Sequence, residues 1–179
     1  MLPTLDECRT ARLRLTRLRV TDLDDLTRMH GDPHVMATLG GLRSAEETAR
    51  FLAEQLTHWD EHGFGFWVIR DPTTGRFAGR GGLRHLLVSD RPEVEVAYAL
   101  MPECWGRGLA TELARESVRV GFTVLRRPDL VCLTQPANHA SRRVMEKAGF
   151  RDHRALTHAG LPHVLYRQTA AAWVAGGGG

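Results

Sequence analysis

Between residues 93 and 135 the chain sets a strand, a long helix and a second strand in direct succession. EVEVAYAL (93–100) alternates apolar and polar as a strand does. From about Leu109 to Leu125, Ala110, Leu113, Ala114, Val118, Gly121, Phe122 and Leu125 share one helical face. Thr111, Glu112, Arg115, Glu116 and Arg119 fall outside it, and LVCLTQ (130–135) is a short, largely apolar strand. Two strands joined through a helix pair in parallel by a crossover that is normally right-handed. That one step constrains the sheet more than any other part of the chain.

The flanking segments read differently. TARLRLTRLRV (10–20) suggests one half-buried strand, followed by a short helix to about Met29 with Thr21 and Asp24 as its capping pair. Ser44 and Glu47 form a capping box, with Ala45, Ala49, Leu52, Leu56 and Trp59 on one stripe and Gly63 as the stop. FGFWVIRD and RFAGRGGLRHLLV enclose the turn PTTG as an antiparallel hairpin, to which 93–100 adds a third strand. A helix from Asn138 to Ala148 closes at Gly149 and Phe150, and strands near 151–157 and 163–169 form a last hairpin. The expected fold class is α/β (α+β mixed sheet): an antiparallel meander joined by one parallel strand pair, with helices on both faces.

Length suits one domain over residues 1–175, with 176–179 a glycine tail. No apolar run is long enough to span a membrane and no secretory signal is visible, so a cytoplasmic protein without membrane association is expected. Cys8, Cys104 and Cys132 show no metal spacing, and their odd number argues against a disulfide framework. The net charge of +3 comes from scattered arginines, Lys147 being the only lysine. Without a clustered basic face or interleaved aromatics, no nucleic-acid partner is expected, and a small anionic ligand fits the balance better. The chain is expected to be a monomer or a homodimer.

PECWGRGLATE (102–112) places Gly106 and Gly108 around Arg107 where the helix starts. A helix N-terminus offers unpaired N–H groups and partial positive charge. Glycines there permit positive φ and let a ligand approach the backbone. Gly106, Arg107, Gly108, Leu109 and Ala110 therefore read as a loop around a pyrophosphate, with Arg107 as counter-charge; a glycine-rich turn that only redirects the chain is the other reading. G-x-x-x-x-G-K-[ST] is absent, and the antiparallel lead-in does not suit a dinucleotide fold.

VEVAYALMPECWGRGLATE followed by LTQPANHASRRVMEKAGF resembles the acetyl-CoA-binding core of the GNAT superfamily of N-acetyltransferases, most nearly its RimJ/RimL type. The signature Q/R-x-x-G-x-G/A maps onto Trp105, Gly106, Arg107, Gly108, Leu109 and Ala110, with Trp105 in place of the polar first residue. A second landmark is matched by Asn138, Ser141, Gly149 and Phe150. The resemblance implies an acetyl-CoA-dependent N-acetyltransferase acting on a primary amine, either a protein or peptide N-terminus or a small molecule, by direct attack in a ternary complex. A non-catalytic acyl-CoA-binding or regulatory member of the fold is the alternative.

By the same resemblance, the pantetheine arm pairs with backbone near Tyr98 and Leu100, and residues Trp105 to Thr111 hold the diphosphate. Asn138 holds the pantetheine arm, while Ser141 lies near the sulfur as a proton donor. Their spacing of three also suits a plain helix cap and a first-turn polar residue. Glu95 is the first candidate for general base, since a carboxylate in a cleft strand is costly unless paired or used; a solvated strand face is the other reading. Tyr166 could offer a hydroxyl to the leaving thiolate or simply pack in the core.

HWDEH (58–62) matches H-x-x-E-H, with His58 and His62 on one helical face. It ends at Gly63, includes Trp59 of the core stripe, and has no evident third ligand, so no metal is expected. Cys104 lies beside the glycine loop, but direct attack by the amine needs no protein nucleophile.

Overall fold

The segment read as one strand over 10–20 is two strands in the computed structural model, which describes residues 5–178. β1 (Glu7–Arg9) and β2 (Arg14–Arg17) pair antiparallel, with Cys8 opposite Leu15. Thr10 turns the chain between them: its N–H donates to the Leu13 carbonyl at 3.0 Å, and its hydroxyl accepts from the Leu13 N–H at 3.1 Å. A hydroxyl that bonds nearby backbone competes with the strand ladder, which interrupts the alternation there. The next helix start also differs from expectation. α1 (Leu23–His30) follows a 3-10 turn at Val20–Asp22, and Asp22 closes that turn by accepting the Arg19 N–H at 2.8 Å; Thr21 and Asp24 do not form the capping pair.

α2 (Pro33–Met36) starts on Asp32, whose carboxylate accepts the His34 and Val35 N–H groups. α3 (Ala45–His62) has its expected capping box: the Ser44 hydroxyl accepts the Glu47 N–H at 3.1 Å, and Glu47 accepts the Ser44 N–H at 2.7 Å. Gly63 ends the helix in a left-handed conformation. Its buried face is rotated from the expected stripe. Thr48, Phe51, Leu52, Gln55 and Trp59 are inside, whereas Ala45 and Ala49 are exposed. Alanine has little apolar area to hide, so the larger Phe51 sets the face.

β3 (Phe66–Arg70), β4 (Phe77–Val88) and β5 (Arg91–Leu100) follow, then α4 (Leu109–Thr123), β6 (Asp129–Thr134), α5 (His139–Lys147), β7 (Asp152–His158) and β8 (Leu161–Thr169). A short α6 (Ala170–Ala175), absent from the sequence reading, starts where the Thr169 hydroxyl accepts the Ala172 N–H at 3.2 Å. The eight strands form one mixed sheet with hydrogen-bonded order β1-β2-β3-β4-β5-β6-β8-β7. β5 and β6 are the expected parallel pair, with Glu95 opposite Val131. Among the described residues, no helix is long and apolar enough to cross a membrane.

The chain divides into two compact units. The first comprises residues up to Gly82 and Tyr98–Ala110. Leu13, Leu15, Leu26, Met29, Trp59, Phe66, Trp67 and Ile69 form its core. Both buried indoles keep their N–H groups satisfied: Trp59 donates to the Phe66 carbonyl and Trp67 to the Leu5 carbonyl, each at 2.8 Å. The second unit comprises Leu83–Ala97 and residues from Thr111 onward. Leu113, Val118 and Val120 of α4 are buried in this unit, as are Leu130, Val131 and Cys132 of β6 and Phe150 and Tyr166.

His30, in the first unit, is fully buried, and its Nδ1 shares a 3.1 Å hydrogen bond with the Thr48 hydroxyl. Burial, reinforced by the charges of Arg80 and Arg43, pushes its pKa down to about 3. The folded state therefore refuses a proton that the unfolded chain accepts near pH ~6.5. This contribution to stability is complete above that pH and is lost as pH falls toward 3, with a slope approaching ~1.4 kcal/mol per pH unit. Urea unfolding across pH 7 to 4 should show this slope in the wild type and a shallower one in His30→Leu.

Candidate functional site

In the first unit, β5 ends where the Met101 N–H donates to the Ala78 carbonyl at 2.8 Å. A 3-10 turn at Pro102–Cys104 then leads into the loop before α4. Trp105 is half exposed, and its indole N–H is fixed on the Leu100 carbonyl at 2.8 Å. Gly106 and Gly108 have φ of 71° and 76°, the left-handed region that side chains disfavour. Between them Arg107 is exposed, and its carbonyl accepts from Arg12 Nη1 at 2.8 Å. The loop is thus held in shape by its own backbone and by a guanidinium from the β1–β2 turn. Leu109 begins the helix, so the first-turn amides that lack intrahelical partners follow directly.

Cys104 is buried behind this loop, and burial, aided by the Glu103 charge, raises its thiol pKa. That favours the unreactive thiol form. Tyr98 is partly buried and Leu100 is buried on the same strand end.

In the second unit, Glu95 is buried and its Oε2 accepts from Arg84 Nε at 2.6 Å. Cys132 on β6 donates its thiol to the Val96 carbonyl at 2.7 Å, and complete burial holds its pKa well above the ordinary thiol value. Asn138 is the N-cap of α5, its Oδ1 accepting the Ser141 N–H at 3.1 Å, so the two residues meet as their spacing suggested. Ser141 itself is partly buried. Tyr166 on β8 is buried opposite Cys132. Its hydroxyl accepts from Arg142 Nε at 3.0 Å and donates to Glu146 at 3.2 Å, both on α5, while His153 stacks on the ring at 5.2 Å.

Three partners escaped the sequence reading: Arg12 on the loop carbonyl, Arg84 on Glu95, and the Arg142–Glu146 pair on Tyr166. One of them follows from the turn geometry that the structure shows. Ser89 and Asp90, between β4 and β5, both have positive φ, as a two-residue hairpin turn requires. A turn centred there sets residue 84 across from residue 95.

Residues 12–151 match the family model described as an acetyltransferase (GNAT) domain. The chain belongs to the GNAT acetyltransferase family. Among curated relatives, this GNAT protein is 28% identical to the uncharacterized protein YkkB of Bacillus subtilis, covering 85% of the chain and 91% of YkkB. It is 31% identical to the FsC-acetyl coenzyme A-N(2)-transacetylase of Aspergillus fumigatus, covering 82% of the chain and 64% of that enzyme. An acetyltransferase structure from Agrobacterium tumefaciens superposes with a TM-score of 0.79 at 27% identity, covering 90% of this chain and 93% of that one. The spermidine N-acetyltransferase of Vibrio cholerae, solved with CoA and spermine, gives 0.72 at 16% identity, covering 92% and 99%. The aminoglycoside acetyltransferase AAC(6')-Ib, solved with coenzyme A and kanamycin, gives 0.75 at 18%, covering 91% and 98%. At the last two identities the likeness is one of fold.

Proposed function

We propose that this GNAT protein transfers the acetyl group of acetyl-CoA to a primary amine by direct attack in a ternary complex. The acceptor is a protein or peptide N-terminus, in the RimJ/RimL manner, or the amine of a small molecule. The observation that carries this reading is the pair of left-handed glycines opening α4 directly after β5, with Arg12 fixing the carbonyl between them. Relatives named for transacetylation and neighbours solved with CoA beside spermine or kanamycin support the same reading.

In this proposal the amides from Gly106 to Thr111 bind the diphosphate with Arg107 as counter-charge, Trp105 flanks them, and the backbone near Tyr98 and Leu100 pairs with the pantetheine arm. Asn138 contacts that arm. Glu95 takes one proton from the ammonium, the neutral nitrogen attacks the thioester carbon, and the carbon–sulfur bond breaks as that nitrogen gives up its second proton. Ser141 relays that proton to the thiolate, and the Tyr166 hydroxyl, which bonds Arg142 and Glu146, is the second candidate for the same transfer. No metal takes part in these steps. Residues 1–175 act as one acetyltransferase domain in the cytoplasm, where free thiols such as Cys8, Cys104 and Cys132 stay reduced.

Free-thiol release from acetyl-CoA, measured against a panel of amines, tests the proposal. Release should require an amine. Release without one indicates hydrolysis, and affinity without turnover indicates an acyl-CoA-binding protein; either result overturns it. Glu95→Gln should lower kcat about 100-fold while acetyl-CoA binding persists, in keeping with loss of a general base. An unchanged kcat removes Glu95 from the mechanism.

A further inference from the structure

The last turn of α3 gathers groups that acetyl transfer does not use. His58 and His62 lie four residues apart on one helical face, their ring centroids 4.6 Å apart. The Nδ1–H of His58 donates to the Phe64 carbonyl at 2.9 Å. That bond fixes the ring and its tautomer, which makes Nε2 the lone-pair nitrogen, and a backbone carbonyl is a common orienting partner of a metal-binding imidazole. The Phe64 ring stands edge-on to His58 at 5.2 Å and tilted to His62 at 6.1 Å, giving the pair an apolar backing. Glu61 Oε2 lies 3.8 Å from His62 Nε2 and brings a negative charge to the same turn.

We propose that His58 and His62 form a binding site for a borderline divalent cation, zinc foremost, with water completing its coordination. Imidazole nitrogens suit zinc, nickel and copper, while an oxygen-only set would favour magnesium or calcium. Two nitrogens bound to one tetrahedral zinc stand about 3.4 Å apart, given zinc–nitrogen bonds of about 2.0–2.1 Å. The donor atoms of His58 and His62 already lie within 4.8 Å of one another, so small side-chain rotations close the distance. His62 is about a third exposed, which lets an ion enter from solvent. The H-x-x-E-H spacing alone gave no reason to expect a metal; the orientation of His58 does. Bound there, the cation ties the end of α3 to the connection at Phe64, a structural clamp and not a reaction centre.

The test uses the full-length chain without a histidine tag, stripped with chelator and titrated with zinc by calorimetry. Cobalt absorption then reports the ligand set. Saturable binding of one equivalent is expected. His62→Gln and His58→Gln should each weaken it at least tenfold, while His158→Gln with His163→Gln leaves it unchanged. The acetyl-CoA thermal shift should survive in all variants, so the outcome does not depend on the transferase reading. His62 is accessible enough that its variant decides the matter even if His58→Gln fails to fold. No binding, or binding that resists His62→Gln, overturns the proposal.

Discussion

Gly108→Val is expected to abolish acetyl-CoA binding while leaving a folded protein. At a hundredfold excess over Kd, acetyl-CoA should stabilise the wild type by ~2.7 kcal/mol, and the variant should show no shift in Tm. A Cβ at position 108 meets only Arg12 Nη2, at 3.6 Å, which is ordinary contact. The effect must therefore come from the backbone. A β-branched residue at φ of 76° carries strain of about 1–3 kcal/mol, which the loop relieves by leaving the left-handed region. Doing so turns the amides away from the ligand. Part of the strain should appear as lower stability of the unliganded variant, so the decisive readout is the ligand-induced shift. An unchanged shift in Gly108→Val would falsify the placement of the diphosphate at this loop.

Arg167→Ala should destabilise the protein by about 3–5 kcal/mol, the usual cost of breaking a buried ion pair from one side. Arg167 on β8 makes a two-pronged contact with Glu93 on β5, at 3.1 and 2.6 Å, and also reaches Asp129 on β6. One guanidinium thus spans three neighbouring strands across the parallel step. The Glu93 side chain is only 3% exposed and, among the described residues, would keep the solvent-facing Arg91 at 3.2 Å as compensation. The double variant Arg167→Met with Glu93→Leu should recover much of the loss, because apolar side chains of similar volume often replace a buried pair without penalty. Urea unfolding of the three proteins measures both effects. A loss below 1 kcal/mol for Arg167→Ala would show that the three-strand contact contributes little.

Local signals were the legible ones. Ser44 with Glu47, Gly63 at the end of α3, the Asn138 cap and the order of β5, α4 and β6 depend on neighbours within a few residues, and each stands as read. Errors arose where a side chain overrode the local pattern. Thr10 broke an apparent strand by bonding Leu13, and Asp22 took the capping position read at Thr21 and Asp24. On α3, Phe51 outweighed two alanines in choosing the buried face. Within the site, the glycine loop was visible because positive φ selects the residue type directly. Its guanidinium tie was not, since ninety-five positions separate Arg12 from Arg107 and no periodicity links them. Tyr166 is open to two readings because a tyrosine in a strand looks the same whether its hydroxyl serves a ligand or packs in the core, and the structure adds its bonds with Arg142 and Glu146.

The Arg12 tie has a kinetic consequence. A two-glycine segment left to itself samples many shapes, and a ligand would have to wait for the receptive one. On the proposed reading, much of that search is completed as the polypeptide folds, so encounter can proceed near the rate set by diffusion and charge. Arg12→Ala should then slow capture far more than it hastens escape, a signature that stopped-flow mixing would reveal.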